Sequence, residues 1–240
     1  MNRSDYVSAL REGAARLAEA ADGRLDLPVP GCPDWTVRDL VRHTGEVYLF
    51  WRLIASGELA GPDGYEDPAP VGDEQLIPWF GTQCEELAAV LAELDPDEPR
   101  WSWSARKDAG FVQRRMAQET AVHCWDAQSA AGLAEPVPRA TAVDGVDEFL
   151  ALFHGEAVPP ADFPEGGVHL HATDGEGEWS VRVADGAWTV AREHAKGAVA
   201  VRGEASDLLL WLWGRAGDDR LEVFGDASLL EAFLRSFDRD

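Results

Sequence analysis

The sequence is poor in positive charge. It has 21 Lys and Arg residues against 44 Asp and Glu residues, which gives a formal net charge of -23 at pH 7. Binding to nucleic acid or to an anionic membrane depends mainly on attraction between basic side chains and phosphate. The shortage of basic residues therefore predicts neither kind of partner. A surface this acidic favours solubility and raises the local concentration of cations.

Cysteine and long apolar runs are also scarce. Cys32, Cys84 and Cys124 are an odd and widely spaced set, which does not fit a disulfide framework. No apolar segment is long enough for a signal peptide or a membrane span, so we expect a cytoplasmic protein. On a helix, Cys124 points away from the face that carries Glu119 and His123, and we do not expect it to be a nucleophile.

Helical spacing dominates the first half of the chain. Apolar residues recur at this spacing in four segments, residues 4–21, 37–56, 74–94 and 111–131. Ser4 is expected to cap the first helix, and Thr36 with Asp39 forms a capping box for the second. We predict an antiparallel four-helix bundle over residues 1–135, an architecture in which inward side chains build metal sites.

The pattern changes after the proline-rich stretch at residues 135–138. A helix at residues 140–153 is followed by short β-like runs, with Asp185-Gly186 as a tight hairpin turn. Ser206 and Asp226 are expected to cap two further helices. The predicted class is therefore α+β, with a second, smaller α+β domain over residues 136–240. His169 and His171 alternate on one strand, which is interpreted as an exposed face without a nearby acid.

Glu119 and His123 are the first candidate site residues. They are four positions apart, so on a helix their side chains lie on one face and can bind the same cation. Met116 and Ala127 share this face, which favours an orientation towards the bundle interior. Asp126 lies one turn beyond His123, where it can hold the imidazole tautomer or replace Glu119 as a ligand. An exposed acid and histidine pair remains the alternative.

A third ligand is available on the second helix. If the second and fourth helices face each other, His43 joins Glu119 and His123, and two imidazoles with one carboxylate suit Zn²⁺ with an open coordination position. The alternative for His43 alone is a hydrogen-bonded residue at the edge of the core.

Three stretches resemble a known family. Residues 32–43, CPDWTVRDLVRH, resemble the signature of the mycothiol-dependent maleylpyruvate isomerase family, within the wider DinB-like metal-binding superfamily. Residues 119–126, ETAVHCWD, are similar to its E-x-x-x-H-x-W-D block, and residues 205–215 resemble its C-terminal, sterol-carrier-like domain. The sequence departs from the family at Asp34, where glycine is frequent, and at Cys124, where arginine is frequent.

The resemblance implies a divalent metal, usually zinc, bound by His43, Glu119 and His123. It also implies mycothiol as the thiol cofactor. We therefore expect a mycothiol-dependent isomerase or thiol transferase that acts on a small electrophilic or dicarboxylate substrate, and a monomer or homodimer. Arg114 and Arg115 are candidates to receive a carboxylate of the substrate, and a solvated helix face is the alternative. Two other functions stay open: a non-catalytic or regulatory member of the family with a structural metal, and a zinc-dependent hydrolase.

Overall fold

Helices and strands occupy different parts of the chain. The structure, a computed structural model, describes residues 1–153 and 158–237. It divides into two compact units, Met1–Val137 and Pro138–Asp240. The first unit is helical and the second contains a five-stranded sheet, so the predicted α+β class is confirmed.

The N-terminal unit contains the four predicted helices. They are α1 (Arg3–Ala21), α2 (Val37–Ser56), α3 (Asp73–Glu93) and α4 (Ala109–Ala130). Helix α1 packs against α3 and α4, and α2 packs against the same two helices. Burial of the apolar stripe of each helix stabilises the bundle. Tyr48 of α2 and Thr120 of α4 join their hydroxyl groups at 2.7 Å inside the core, which links the two helices by a buried polar contact.

Capping boxes fix where two of these helices begin. Thr36 and Asp39 form the predicted capping box of α2. The prediction for α1 is wrong, because Asn2 rather than Ser4 is the N-cap. The Asn2 side chain accepts the backbone N–H of Asp5 at 3.1 Å, and the Asp5 carboxylate accepts the backbone N–H of Asn2 at 2.8 Å. Asparagine is as good an N-cap as serine, and only Asn2 has an acid three residues later.

The C-terminal unit is built around a mixed sheet. Its elements are α5 (Arg139–Phe153), β1 (Val168–Ala172), β2 (Glu178–Ala184), β3 (Ala187–Ala191), β4 (Val199–Gly203), α6 (Ala205–Leu212), β5 (Glu222–Gly225) and α7 (Ser228–Leu234). The strand order is β3-β2-β1-β4-β5, and only the β1–β4 pair is parallel. Helix α6 packs against β1 and β4, and the side chains of Val168, Leu170 and Val201 are fully buried.

Turn and cap residues in this unit were predicted with mixed success. Asp185 and Gly186 both have positive φ, +52° and +77°, as a tight two-residue hairpin turn requires, and β2 pairs with β3 across them. The prediction for Asp226 is wrong, because Ala227 is the N-cap residue of α7, although Asp226 accepts the backbone N–H of Ser228 at 3.0 Å in the turn before the helix. The prediction for Ser206 is wrong, because α6 begins at Ala205 and Glu204 is its N-cap residue.

Within residues 1–153 and 158–237, no helix combines the length and the apolar character needed to cross a bilayer.

Candidate functional site

Helices α2 and α4 bring the three predicted metal ligands together. Nε2 of His123 lies 3.1 Å from Oε1 of Glu119, and Nε2 of His43 lies 3.5 Å from the same oxygen. One ligand atom from each of the three residues falls within 4.8 Å of the other two. Two imidazole nitrogens and one carboxylate oxygen therefore lie close together. This is the arrangement predicted for the case in which α2 and α4 face each other.

Each donor on α4 is held by a second side chain. Nδ1 of His123 lies 3.0 Å from Oδ2 of Asp126, which is fully buried. The guanidinium of Arg115 donates to Oε2 of Glu119 at 3.0 Å, so this carboxylate is fixed from the side away from the histidines. Hydrogen bonds of this kind, to the far side of a ligand, orient imidazoles and carboxylates in metal sites.

The electrostatics of the cluster couple Glu119 to His123. Burial alone would raise the pKa of the Glu119 carboxyl, but His123, His43 and Arg115 together lower this pKa well below its usual range. Burial alone would lower the pKa of His123, but Glu119 and Asp126 raise it to about 9. The raised pKa favours the protonated form of His123, with a hydrogen on Nε2 beside Oε1 of Glu119.

His43, the third of the predicted ligands, is partly exposed to solvent. The side chain of His43 is 38% exposed, whereas that of His123 is 10% exposed. The indole of Trp35 lies against His43, with ring centroids 4.8 Å apart. A site with one exposed ligand and an aromatic wall can admit a small molecule, whereas a structural zinc site surrounds its metal with four protein ligands.

A short turn places Trp35 beside the cluster. The backbone N–H of Trp35 donates to the carbonyl of Cys32 at 3.1 Å, and Asp34 has a φ of +71°. Proline at the second position, here Pro33, and positive φ at the third are typical of a type II turn. Glycine takes this conformation without steric cost, whereas an L-residue such as Asp34 adopts it less readily.

Replacing Asp34 by glycine is expected to stabilise the protein. The left-handed conformation costs an L-residue about 1 kcal/mol, and glycine removes this cost. We expect Asp34→Gly to raise the free energy of unfolding in urea by up to about 0.5 kcal/mol, because the greater entropy of glycine in the unfolded chain offsets part of the gain. Asp34→Ala is the matched comparison and is expected to destabilise, since alanine lacks the local hydrogen bonding that lets aspartate tolerate this backbone. Equal effects of both substitutions would contradict this explanation.

The turn also brings in a residue that the sequence did not point to. Sγ of Cys32 lies 3.6 Å from Oδ2 of Asp126. Cys32, His123 and Asp126 form a second set of donors within 4.8 Å, on the Nδ1 side of the same imidazole. No spacing rule links Cys32 to α4, because its contact with Asp126 spans 94 residues and depends on the fold of the turn.

The remaining predicted residues of α4 occupy different environments. Arg115 is buried against Glu119, so its guanidinium supports the carboxylate rather than forming a solvated helix face. Arg114 is partly buried. Cys124 is also buried, and burial raises the pKa of its thiol to about 11, which disfavours the reactive thiolate.

Comparison with known proteins identifies the family of the chain and solved structures with a similar fold. The model of the mycothiol maleylpyruvate isomerase N-terminal domain matches residues 7–128, and that of the MDMPI C-terminal domain matches residues 140–232. No curated protein matches the chain. Two crystal structures of the mycothiol-dependent maleylpyruvate isomerase are similar in fold to this chain. A mutant with one histidine replaced by alanine has 13% identity and a TM-score of 0.62, and a second structure has 16% and 0.56; each match covers 93% of both chains. The two structures show a shared fold, and the family match shows more: the chain belongs to the mycothiol maleylpyruvate isomerase family.

Proposed function

We propose that residues 1–135 form a metal-binding domain in which His43, Glu119 and His123 bind one divalent ion, with zinc favoured. The observation that carries the proposal is the convergence of three donor atoms within 4.8 Å at a point open through His43. The donor chemistry fits, since two imidazoles and one carboxylate with an open position are typical of catalytic zinc. The ion supplies the positive charge that ionises a bound thiol near neutral pH.

The proposed activity is a mycothiol-dependent isomerisation or thiol transfer on a small electrophilic or dicarboxylate substrate. Family membership supports the thiol cofactor, and the exposed side of His43 supports access for small molecules. A cytoplasmic location and the state of monomer or homodimer stay predictions. A protein with a structural metal is less favoured, because the cluster has three ligands and an exposed edge rather than four enclosing ligands.

Each side chain of the cluster has a role in this proposal. Asp126 accepts the hydrogen on Nδ1 of His123, which leaves the Nε2 lone pair directed at the ligand position. Arg115 neutralises one carboxylate oxygen of Glu119 and leaves the other beside the two histidines. Trp35 lies next to His43 and limits access of water from one side. For Arg114, the proposed role is to attract the carboxylate of a substrate.

Calorimetry with mycothiol tests the cofactor. We expect mycothiol to bind the zinc-loaded protein and to bind the metal-free protein at least about 10-fold more weakly, because the thiolate is stabilised by the ion. A fully metallated protein that binds no mycothiol would remove the cofactor assignment and leave the metal site intact. Turnover of an electrophilic or ester substrate without added thiol would instead indicate a zinc-dependent hydrolase.

The affinity for zinc is expected to depend on pH. Because the pKa of His123 is raised to about 9 in the metal-free protein, the ion must displace a proton below that pH. Zinc affinity should therefore rise roughly tenfold per pH unit between about pH 7.5 and 8.5 and level off above about pH 9. Calorimetry in buffers of different ionisation enthalpy measures the released proton. A pH-independent affinity over this range would show that no proton is displaced from His123.

A further inference from the structure

A second group of metal-ligating side chains lies in the C-terminal unit. His169 and His171 are on one face of β1, Glu178 begins β2, and His194 lies in the connection between β3 and β4. One donor atom from each of these four residues falls within 4.8 Å of the other three. This arrangement corrects the interpretation of His169 and His171 as an exposed face without an acid, because His169 is buried and Glu178 lies beside both.

The register of the sheet produces the cluster. In the antiparallel pair of β1 and β2, His171 is directly opposite Glu178, and His169 is two residues away on the same face. Nδ1 of His171 lies 2.7 Å from one carboxylate oxygen of Glu178, and Nδ1 of His194 lies 2.9 Å from the other. The rings of His169 and His194 meet edge to face, with centroids 5.2 Å apart.

One nitrogen in this group has no partner to explain its burial. The side chain of His169 is 8% exposed, and its Nε2 is buried without a hydrogen-bond partner among the described residues. The closest carboxylate oxygen, on Glu178, is 3.9 Å away, which is too far for a hydrogen bond. A buried polar atom without a partner costs free energy, and a cation bound between His169 and Glu178 would satisfy this nitrogen.

Arg202 does not compete for this position. Arg202 of β4 is opposite His171 in the sheet, but its guanidinium lies 3.5 Å from Glu222 and over the ring of Phe224. These contacts direct the positive charge towards β5. The carboxylate of Glu178, in contrast, lies within 4 Å of a nitrogen of each of the three imidazoles.

We propose that His169, His171, Glu178 and His194 form a second site for a divalent transition metal of the zinc class. Three imidazole nitrogens and one carboxylate oxygen satisfy the tetrahedral preference of Zn²⁺. With four protein ligands the site is closed, so its role is structural: the ion joins the β1–β2 hairpin to the β3–β4 connection. The proposal rests on the C-terminal unit alone and does not depend on the activity proposed above.

Zinc binding to the full chain tests this site when the N-terminal site is silenced. The variant His43→Ala/Glu119→Gln is dialysed against Zn²⁺, and we expect it to retain about one ion per chain. Adding Glu178→Gln should lower the remaining affinity more than about 100-fold, since even an outer contact of a metal ligand is worth 10- to 100-fold. Glu176→Gln is the matched control, because Glu176 is an exposed acid two residues away, and it should leave the affinity unchanged.

Two further measurements separate ligand loss from misfolding. His169 is buried and is left intact. His171 is a more exposed ligand, and His171→Ala should reproduce the loss of zinc. Without metal, this variant should unfold at the same temperature as the silenced chain. Zinc should raise that temperature in the silenced chain and not in the Glu178→Gln form. The proposal is overturned if the silenced chain binds no zinc, or if Glu178→Gln and Glu176→Gln bind it equally.

Discussion

Glu119→Gln is expected to lower the zinc affinity of the N-terminal site by more than about 100-fold. The substitution keeps the shape of the side chain and an oxygen that can accept from Arg115, but it removes the negative charge beside the two histidines. Loss of an outer hydrogen-bond partner of a metal ligand already costs 10- to 100-fold, and loss of a charged ligand costs more. Activity that depends on the metal should fall with occupancy.

The measurement is made by chelator competition in a Glu178→Gln background, so that only the N-terminal site is counted. Glu93→Gln is the control, because Glu93 is an exposed acid at the end of α3 and its loss should leave the affinity unchanged. His43→Ala should also reduce occupancy. If the His43→Ala protein still binds a full equivalent of zinc, the three-ligand site is wrong. Unfolding of the metal-free variants in urea shows whether the bundle is intact.

The elements of the bundle could be predicted because each is encoded locally. The capping box of Thr36 and Asp39 and the glycine after α2 define that helix from its own residues, and the α4 stripe defines one face for Glu119 and His123. The pairing of α2 with α4 was a conditional prediction. In the structure, Nε2 of His43 lies 3.5 Å from Oε1 of Glu119, because the apolar stripes of both helices face the same core.

Contacts between distant segments account for what the sequence did not reveal. Glu178 faces His171 because of the register between β1 and β2, and a shift by one residue would place it on the other face of the sheet. The short segment at residues 173–177 and the alternation of the two histidines were a signal for this pairing. His194 and Cys32 gave no comparable signal, since each lies in a connection whose path depends on the folded unit.

Asp126→Asn tests which of two carboxylates is the ligand, because the sequence allowed either Glu119 or Asp126. The structure places Asp126 on Nδ1 of His123, whereas Glu119 and His43 lie on the Nε2 side. We therefore expect Asp126 to position His123 rather than to bind the ion. The asparagine variant should bind zinc about 10- to 100-fold more weakly, since an amide accepts the Nδ1 hydrogen less strongly than a carboxylate does.

A second readout distinguishes positioning from packing. Because Asp126 contributes to the raised pKa of His123, this pKa should fall below about 9 in the metal-free variant, as measured by nuclear magnetic resonance titration. Asp22→Asn, at an exposed acid after α1, should change neither the pKa nor the zinc affinity. If zinc binding in Asp126→Asn falls as far as in Glu119→Gln, Asp126 is a ligand. If the variant folds, binds zinc normally and keeps the His123 pKa, Asp126 has no positioning role, and the tautomer of His123 is set by Glu119 alone.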